Sequence, residues 1–213
     1  MFFLPGIDVL VAFTLAALLL TVTPGPDMTL FIGETLRAGR ARGFAALLGA
    51  STGLLVHSLL AAFGLSALLA ASATAFTILK IVGAVYLLWL GWQAIRHGSA
   101  LTVTPGAGER RPLIKVYALG LGINLLNPKI VMFFLTFLPQ FVSASDPHAS
   151  AQLLFLGAYF LVLALPVCII LILAAERFTR ALRLSPRIMR AVDWMFACIL
   201  GAFAVRLLFA RAN

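Results

Sequence analysis

Six stretches of about 20 mostly apolar residues follow one another along the chain, and they constrain its fold more than any other feature. They span residues 9–36, 44–70, 76–95, 117–138, 153–175 and 191–209. A bilayer core offers the backbone no hydrogen-bond partner, so a single chain of such stretches must cross it as helices. The sequence therefore predicts an all-α membrane protein with six transmembrane helices.

The charged residues are sorted by segment. Of the residues, 11% are charged, against roughly a quarter in soluble proteins, and the net charge is +9. Lys and Arg cluster in 37–42, 96–115 and 177–190, and are absent from the N-terminal tail and from the segments after spans two and four. Positive loops stay in the cytoplasm. We therefore expect both termini in the periplasm, and the positive charge reflects topology and not a nucleic-acid partner.

The chain divides into two halves of three spans each. A Gly- and Pro-containing polar segment, 97–112, separates them. We expect one transporter domain over 1–213, with halves 1–95 and 117–213 and a cytoplasmic linker at 96–116. An odd number of spans per half makes the second half enter the membrane in the opposite direction, which is the arrangement of an inverted repeat.

Prolines interrupt spans one and four. The interruptions are Thr23-Pro24-Gly25-Pro26 and Asn127-Pro128. In each, a residue that caps helices (Thr23 or Asn127) precedes a proline suited to a first helical turn, so a new half-helix is predicted inside the membrane. At 1.5 Å per residue, both breaks lie roughly 15 Å from the cytoplasmic boundary. Matched broken helices in inverted halves predict a transport site.

An ionisable residue follows each break: Asp27 in span one and Lys129 in span four. A charge within a span costs roughly 2.5–3.5 kcal/mol, which indicates a function. Lys129 and the N–H groups of the two half-helices are expected to hold a substrate carboxylate. Three roles are open for Asp27: ligand of a substrate amino group, carrier of the coupling proton, or partner of Lys129.

Two further polar residues lie within the spans. His57 is either a buried histidine bonded to a neighbouring helix or a proton relay and site wall. Asn124 is one turn before Asn127, so it is expected to line the same cavity. Gly49 and Gly53 form a GxxxG motif that predicts a close helix crossing.

Together these motifs resemble the lysine exporter (LysE/RhtB) superfamily, most closely its homoserine/threonine exporter branch. The motifs are TPGPD (23–27), GxxxGxxxH (49–57), KIVGAVYLLWLGW (80–92) and GLGINLLNPKIVMFFLTFLPQF (120–141). The resemblance implies a multi-pass carrier of the bacterial inner membrane that exports amino acids or related metabolites, driven by the proton gradient. It implies no enzyme activity and no cofactor, and the TPGP and NPK segments would shape the transport pathway.

Little charge is available in the spans to bind a cationic side chain, which favours a small neutral amino acid such as homoserine or threonine, or a branched-chain amino acid. A metal-ion or other small-solute exporter of the same superfamily fold is the alternative, although only Asp27 and His57 would suit a metal. A thiol oxidoreductase is excluded, because spans one and four contain no cysteine. Cys168 and Cys198 are interpreted as small packing residues, and a homo-oligomer is left open.

Overall fold

The computed structural model describes residues 4–65, 73–97, 111–143 and 146–177, together with 190–191, 194–195, 197–198, 201–202 and 204–205. Helices make up most of these ranges, and no strand occurs among them. The helices are α1 (Ile7–Val22), α2 (Pro26–Ala38), α3 (Arg40–Leu60), α4 (Ala73–His97), α5 (Leu113–Leu126), α6 (Pro128–Met132) and α7 (Ala149–Leu173). One π-helical turn, Ala61–Leu65, extends α3, and α6 continues through a π-helical turn, Phe133–Phe137, and a 3₁₀ turn, Leu138–Phe141.

The described residues contain between two and four candidate membrane spans. Two single helical segments are long and apolar enough to cross a bilayer, Arg40–Gly64 and Ala149–Leu173. Two bent pairs qualify if each counts as one span: α1 with α2, bent by 49°, and α5 with Pro128–Phe141, bent by 48°. The predicted all-helical membrane fold is therefore confirmed. The six-span inverted repeat stays a prediction, and much of the predicted sixth span lies outside the described residues.

The bends occur where a residue precedes a proline, because the proline ring disfavours the helical conformation of its predecessor. Asn127 has an extended backbone (φ −69°, ψ 110°). In the first break Thr23 is extended as well (φ −69°, ψ 126°), and so is Gly25 (φ −164°, ψ −179°). The consecutive Thr23-Pro24 and Gly25-Pro26 steps thus separate α1 from α2.

One predicted cap is correct and the other is wrong. Asn127 caps α6: its side chain accepts a hydrogen bond from the Lys129 backbone N–H, and Pro128 begins the helix. Thr23 does not cap α2, because the second proline postpones the start of that helix to Pro26 and leaves Gly25 at the cap position. The Thr23 hydroxyl instead donates to the Leu19 carbonyl, 2.7 Å away, at the end of α1.

Helices α3 and α5 approach each other closely. A β-carbon on Gly49 would collide with the Tyr117 carbonyl oxygen, and one on Gly120 with the Ala46 carbonyl oxygen. The close crossing predicted from the GxxxG motif is confirmed, and its partner is the first half of the second broken pair. The crossing places Asn124 against Gly53, next to the break that follows α5.

Aromatic packing supports the region beyond the second break. The Phe13 ring of α1 contacts that of Phe141 edge-on, with centroids 5.2 Å apart. Phe133 packs against Phe160 of α7 at 4.6 Å. The buried cluster around these rings joins α1, α7 and the continuation of α6, and it positions one side of the breaks.

Candidate functional site

The two breaks lie against each other, and the second one holds the acid of the first. The Asn127 side-chain amide donates to Oδ2 of Asp27 at 2.8 Å, and the Asn124 amide donates to the same oxygen at 3.0 Å. Asn124 and Asn127 are 2% and 1% exposed. Each of these bonds joins a neutral donor to a carboxylate, which is among the stronger kinds of hydrogen bond.

The first break holds the base of the second. The Lys129 ammonium donates to the carbonyl oxygens of Thr23 at 3.0 Å and of Leu20 at 3.3 Å. The Leu20 carbonyl would ordinarily accept from the backbone nitrogen of residue 24, four residues on. Residue 24 is a proline without an N–H, so the lysine ammonium satisfies an oxygen that the helix itself cannot.

Asp27 and Lys129 are thus each held by the other's broken helix. They do not form an ion pair: within 4.0 Å, the ion pairs of the described residues are Glu34–Arg37 and Asp146–His148. Of the three roles open for Asp27, the structure does not show direct pairing with Lys129. Both charged groups lie where the two breaks meet, but each is hydrogen-bonded to different partners.

Only one of the two half-helix starts is open. At α6, the Asn127 side chain occupies the Lys129 N–H at 3.0 Å. At α2, the cap residue Gly25 has no side chain, and no side-chain cap bond is made. The first N–H groups of a helix need partners and carry a partial positive charge. An anion is therefore expected at the start of α2, and not at both starts.

Asp27, Asn124 and Lys129 line a cavity of about 60 Å³ between the broken helices, α3 and α7. Its wall is otherwise mainly apolar and includes Phe31, Leu47, Leu54, Phe160 and Leu165. An apolar wall with a few converging polar groups is typical of a small-molecule site. At about 10–15 Å³ per water the space holds a few water molecules, so it must widen to take an amino acid.

One carboxylate oxygen and one amide oxygen at this site have no hydrogen-bond partner among the described residues. Asp27 Oδ1 and Asn124 Oδ1 are buried, and neither accepts a hydrogen bond in the part of the chain that the structure describes. Leaving a buried acceptor unsatisfied costs about 1–3 kcal/mol. The Asn124 oxygen packs against Gly53, whereas Asp27 is the acid on the cavity wall. The Asp27 oxygen is therefore the acceptor better placed for a donor in the cavity.

His57 lies behind the cavity wall. It is 8% exposed, its Nε2 is 3.4 Å from the Asn124 carbonyl oxygen, and its ring stacks on that of Phe134 with centroids 5.4 Å apart. This matches the interpretation of a buried histidine bonded to a neighbouring helix. His57 therefore adjoins the wall residue Asn124 and does not itself line the cavity.

The three prolines of the breaks act through the backbone. Pro24, Pro26 and Pro128 fix where the helices end and begin, and the side chains that reach the cavity come from their neighbours. Sequence reasoning missed the apolar wall, including Cys168 on α7. Met28 and Phe31 could have been predicted to line the cavity, since both follow Asp27 within about one helical turn. No sequence pattern distinguished Cys168, because apolar spans have much the same composition along their whole length.

Known proteins resemble this chain over most of its length. Residues 18–211 match the family model of the LysE type translocator. An uncharacterised membrane protein of Vibrio cholerae is 33% identical over 97% of this chain and 99% of its own length. A homoserine/homoserine lactone efflux protein of Salmonella typhimurium is 30% identical over 94% and 96%. A leucine efflux protein of Enterobacter is 29% identical over 92% of each chain. No solved structure matches.

Proposed function

Because the chain belongs to the LysE type translocator family, we propose that it is a proton-coupled carrier that exports a small neutral amino acid across the bacterial inner membrane. The observation that carries the proposal is one cavity with Asp27 and Lys129 on its wall, each bonded to the opposite broken helix. An amino acid at neutral pH is a zwitterion, and its two charges match this separated pair.

The carboxylate of the substrate would bind at the start of α2. Gly25 leaves the first N–H groups of that helix without a side-chain partner, and such groups attract anions. The Lys129 ammonium lies beside Gly25. An ammonium has three N–H donors, and two of them bond to Leu20 and Thr23, so one is left for the carboxylate.

The amino group of the substrate would bind Asp27. Its Oδ2 is used by the two asparagines, and its Oδ1 has no partner among the described residues. A substrate ammonium would satisfy that oxygen. Alternatively, Asp27 would carry the coupling proton. If the proton and the substrate bind the same carboxylate at different stages of the transport cycle, Asp27 would have both roles.

The side chain of the substrate would meet the apolar wall. Phe31, Leu54 and Leu165 are among its members, and Asp27 is the one carboxylate and Lys129 the one lysine among the residues that line it. A neutral side chain such as that of homoserine, threonine or leucine suits this wall better than a charged one. The names of the Salmonella and Enterobacter relatives, homoserine and leucine efflux proteins, support the same class.

Transport would proceed by alternating access between the halves 1–95 and 117–213, which the cytoplasmic linker 96–116 would join. The protein would have six spans and both termini in the periplasm. The breaks meet at the contact between the halves, which is where binding sites of inverted-repeat carriers lie. The cavity volume of about 60 Å³ is too small for an amino acid, so movement of the halves would open it. A metal-ion exporter is less well supported, since one carboxylate and one thiol on the wall, from Asp27 and Cys168, make a poor ligand set.

The proposal is tested with the purified protein in proteoliposomes. Vesicles loaded with one unlabelled amino acid would be placed in buffer with the same radiolabelled amino acid, and exchange would be measured with and without an imposed pH gradient. We expect exchange of one or more small neutral amino acids, a response to the gradient, and no exchange of lysine. Exchange of none of the amino acids would overturn the proposal.

A further inference from the structure

We infer that the broken end of α1 is a cation-binding site, and that the ammonium of Lys129 is its resident, covalently tethered ion. Two carbonyl oxygens, those of Leu20 and Thr23, converge on Nζ at 3.3 and 3.0 Å. Leu20 is in the last turn of α1 and Thr23 is the residue that caps its C-terminus, whereas Lys129 belongs to the other broken pair. The inference deepens the proposed function and depends on it only for the transport measurement.

The chemistry of α1 explains why its end requires a cation. Pro24 cannot donate to the Leu20 carbonyl, and the extended conformation of Thr23 ends the helix. The last carbonyls of a helix also carry a partial negative charge. Carbonyls at an interrupted helix end are the groups with which inverted-repeat carriers coordinate Na⁺, so this end is suited to a small monovalent cation.

The position of Lys129 shows that the lysine is not simply avoiding the bilayer. A lysine that only needed to escape an apolar environment would extend towards the membrane boundary. Its ammonium instead lies inside the first break, beside Gly25, and it pairs with carbonyls although Asp27 is on the same cavity wall. The ammonium thus takes the place of a metal ion, and it comes from the second half while its ligands come from the first.

Two consequences follow. The carrier should not need Na⁺, because the site is already filled. Removing the lysine side chain should leave a vacant site that admits a free cation of similar size, above all a primary ammonium, which can donate to both carbonyls as Nζ does.

The experiment uses the full chain with Lys129→Ala, purified in detergent, and measures its thermal unfolding midpoint in increasing ethylammonium chloride. We expect the midpoint to fall by roughly 3–10 °C relative to the unsubstituted protein, from the loss of charge-assisted bonds. Ethylammonium should restore most of that loss with a saturable dependence. Tetramethylammonium, which has no N–H, should not restore it at equal ionic strength.

The matched controls are the unsubstituted protein and Lys115→Ala, whose lysine is exposed at the start of α5. Neither should respond to ethylammonium beyond the response to tetramethylammonium. A specific response of Lys129→Ala to Na⁺ would also support the cation site. If the unfolding midpoint of Lys129→Ala responds to every salt as that of the unsubstituted protein does, the inference is overturned.

Should Lys129→Ala be too unstable to purify, Lys129→Met provides the second test, because it keeps the length of the side chain and removes the charge. We expect a lowered midpoint that no cation restores, since the methionine fills the site. An unchanged midpoint for Lys129→Met would overturn the inference. In proteoliposomes, ethylammonium should restore exchange to Lys129→Ala. If the unsubstituted protein exchanges no amino acid, the proposed function fails, while the thermal measurement still decides on the cation site.

Discussion

The ammonium nitrogen of Lys129 lies beside Gly25, 3.1 Å from where a β-carbon on that glycine would stand. The glycine is needed for space and not for conformation, because its backbone is extended, at φ −164°. A small residue here lets the lysine of one broken helix reach the carbonyls of the other.

Gly25→Ala should therefore impair transport without straining the backbone. The new methyl group would meet both Nζ and Cε of Lys129, the latter at 3.3 Å, and displace the ammonium. We expect exchange to fall by roughly ten- to hundredfold, the equivalent of one charged hydrogen bond. Gly33→Ala is the matched control, because it is on the same helix and a β-carbon there meets nothing within 4 Å. Equal exchange by the two variants would contradict the assignment.

Asp27→Asn should abolish export driven by a pH gradient while leaving the protein folded, since the amide keeps the shape of the carboxylate and removes its charge. Exchange without a gradient separates the two remaining roles. If Asp27 only carries the proton, exchange should survive; if it binds the amino group, exchange should fail too. Asp8→Asn, at an exposed position in the first turn of α1, serves as control. Normal export with unchanged pH dependence would show that Asp27 has neither role.

Asn127→Ala should destabilise the protein, because it removes both the cap of α6 and a bond to Asp27. We expect a cost of about 1–3 kcal/mol, measured as a lowered denaturation midpoint. Asn127→Ser separates the two effects: its hydroxyl can still cap the helix, but it is too short to hold the carboxylate. Compared with Asn127→Ala, the serine variant should be more stable, but its transport should remain impaired. Full transport by it would show that the Asp27 bond is dispensable.

Gly120→Ala should prevent correct folding, because its β-carbon would collide with the backbone of Ala46 on α3. A backbone carbonyl cannot move aside as a side chain can, so the two helices would have to separate. We expect little monodisperse protein on size-exclusion chromatography. Gly122→Ala lies two residues on, where a β-carbon meets nothing within 4 Å, and should purify normally. Equal yields of both would argue against the close crossing.

The membrane orientation predicts which cysteine substitutions a membrane-impermeant thiol reagent will reach in cells. In a chain whose own two cysteines are replaced by serine, a cysteine at Arg40 should be protected in intact cells, because the positive-inside rule predicts that the cluster 37–42 is cytoplasmic. A cysteine at Asn213, which lies outside the described residues, should be labelled from the periplasm. Labelling of position 213 only after the cells are opened would reverse the orientation.

The sequence alone located the breaks and the cap at Asn127, because proline and capping residues act through their immediate neighbours. It misplaced the start of α2, since Pro26 keeps Gly25 extended and so postpones the start of the helix. The partners of Asp27 and Lys129 depend on how two distant segments cross, which local patterns do not encode. The apolar wall was invisible for a simpler reason: lipid-facing and cavity-facing apolar residues have the same composition.

The crossed bonding of Asp27 and Lys129 also has an electrical consequence. A single elementary charge that crosses the membrane field is subject to about 2.3 kcal/mol per 100 mV. One negative and one positive group, one at each of the two adjoining breaks, sum to zero, so the proposed rocking of the two halves around them would move no net charge. We therefore expect the return of the empty carrier to be insensitive to membrane voltage, and any voltage dependence of export to enter with the transported proton.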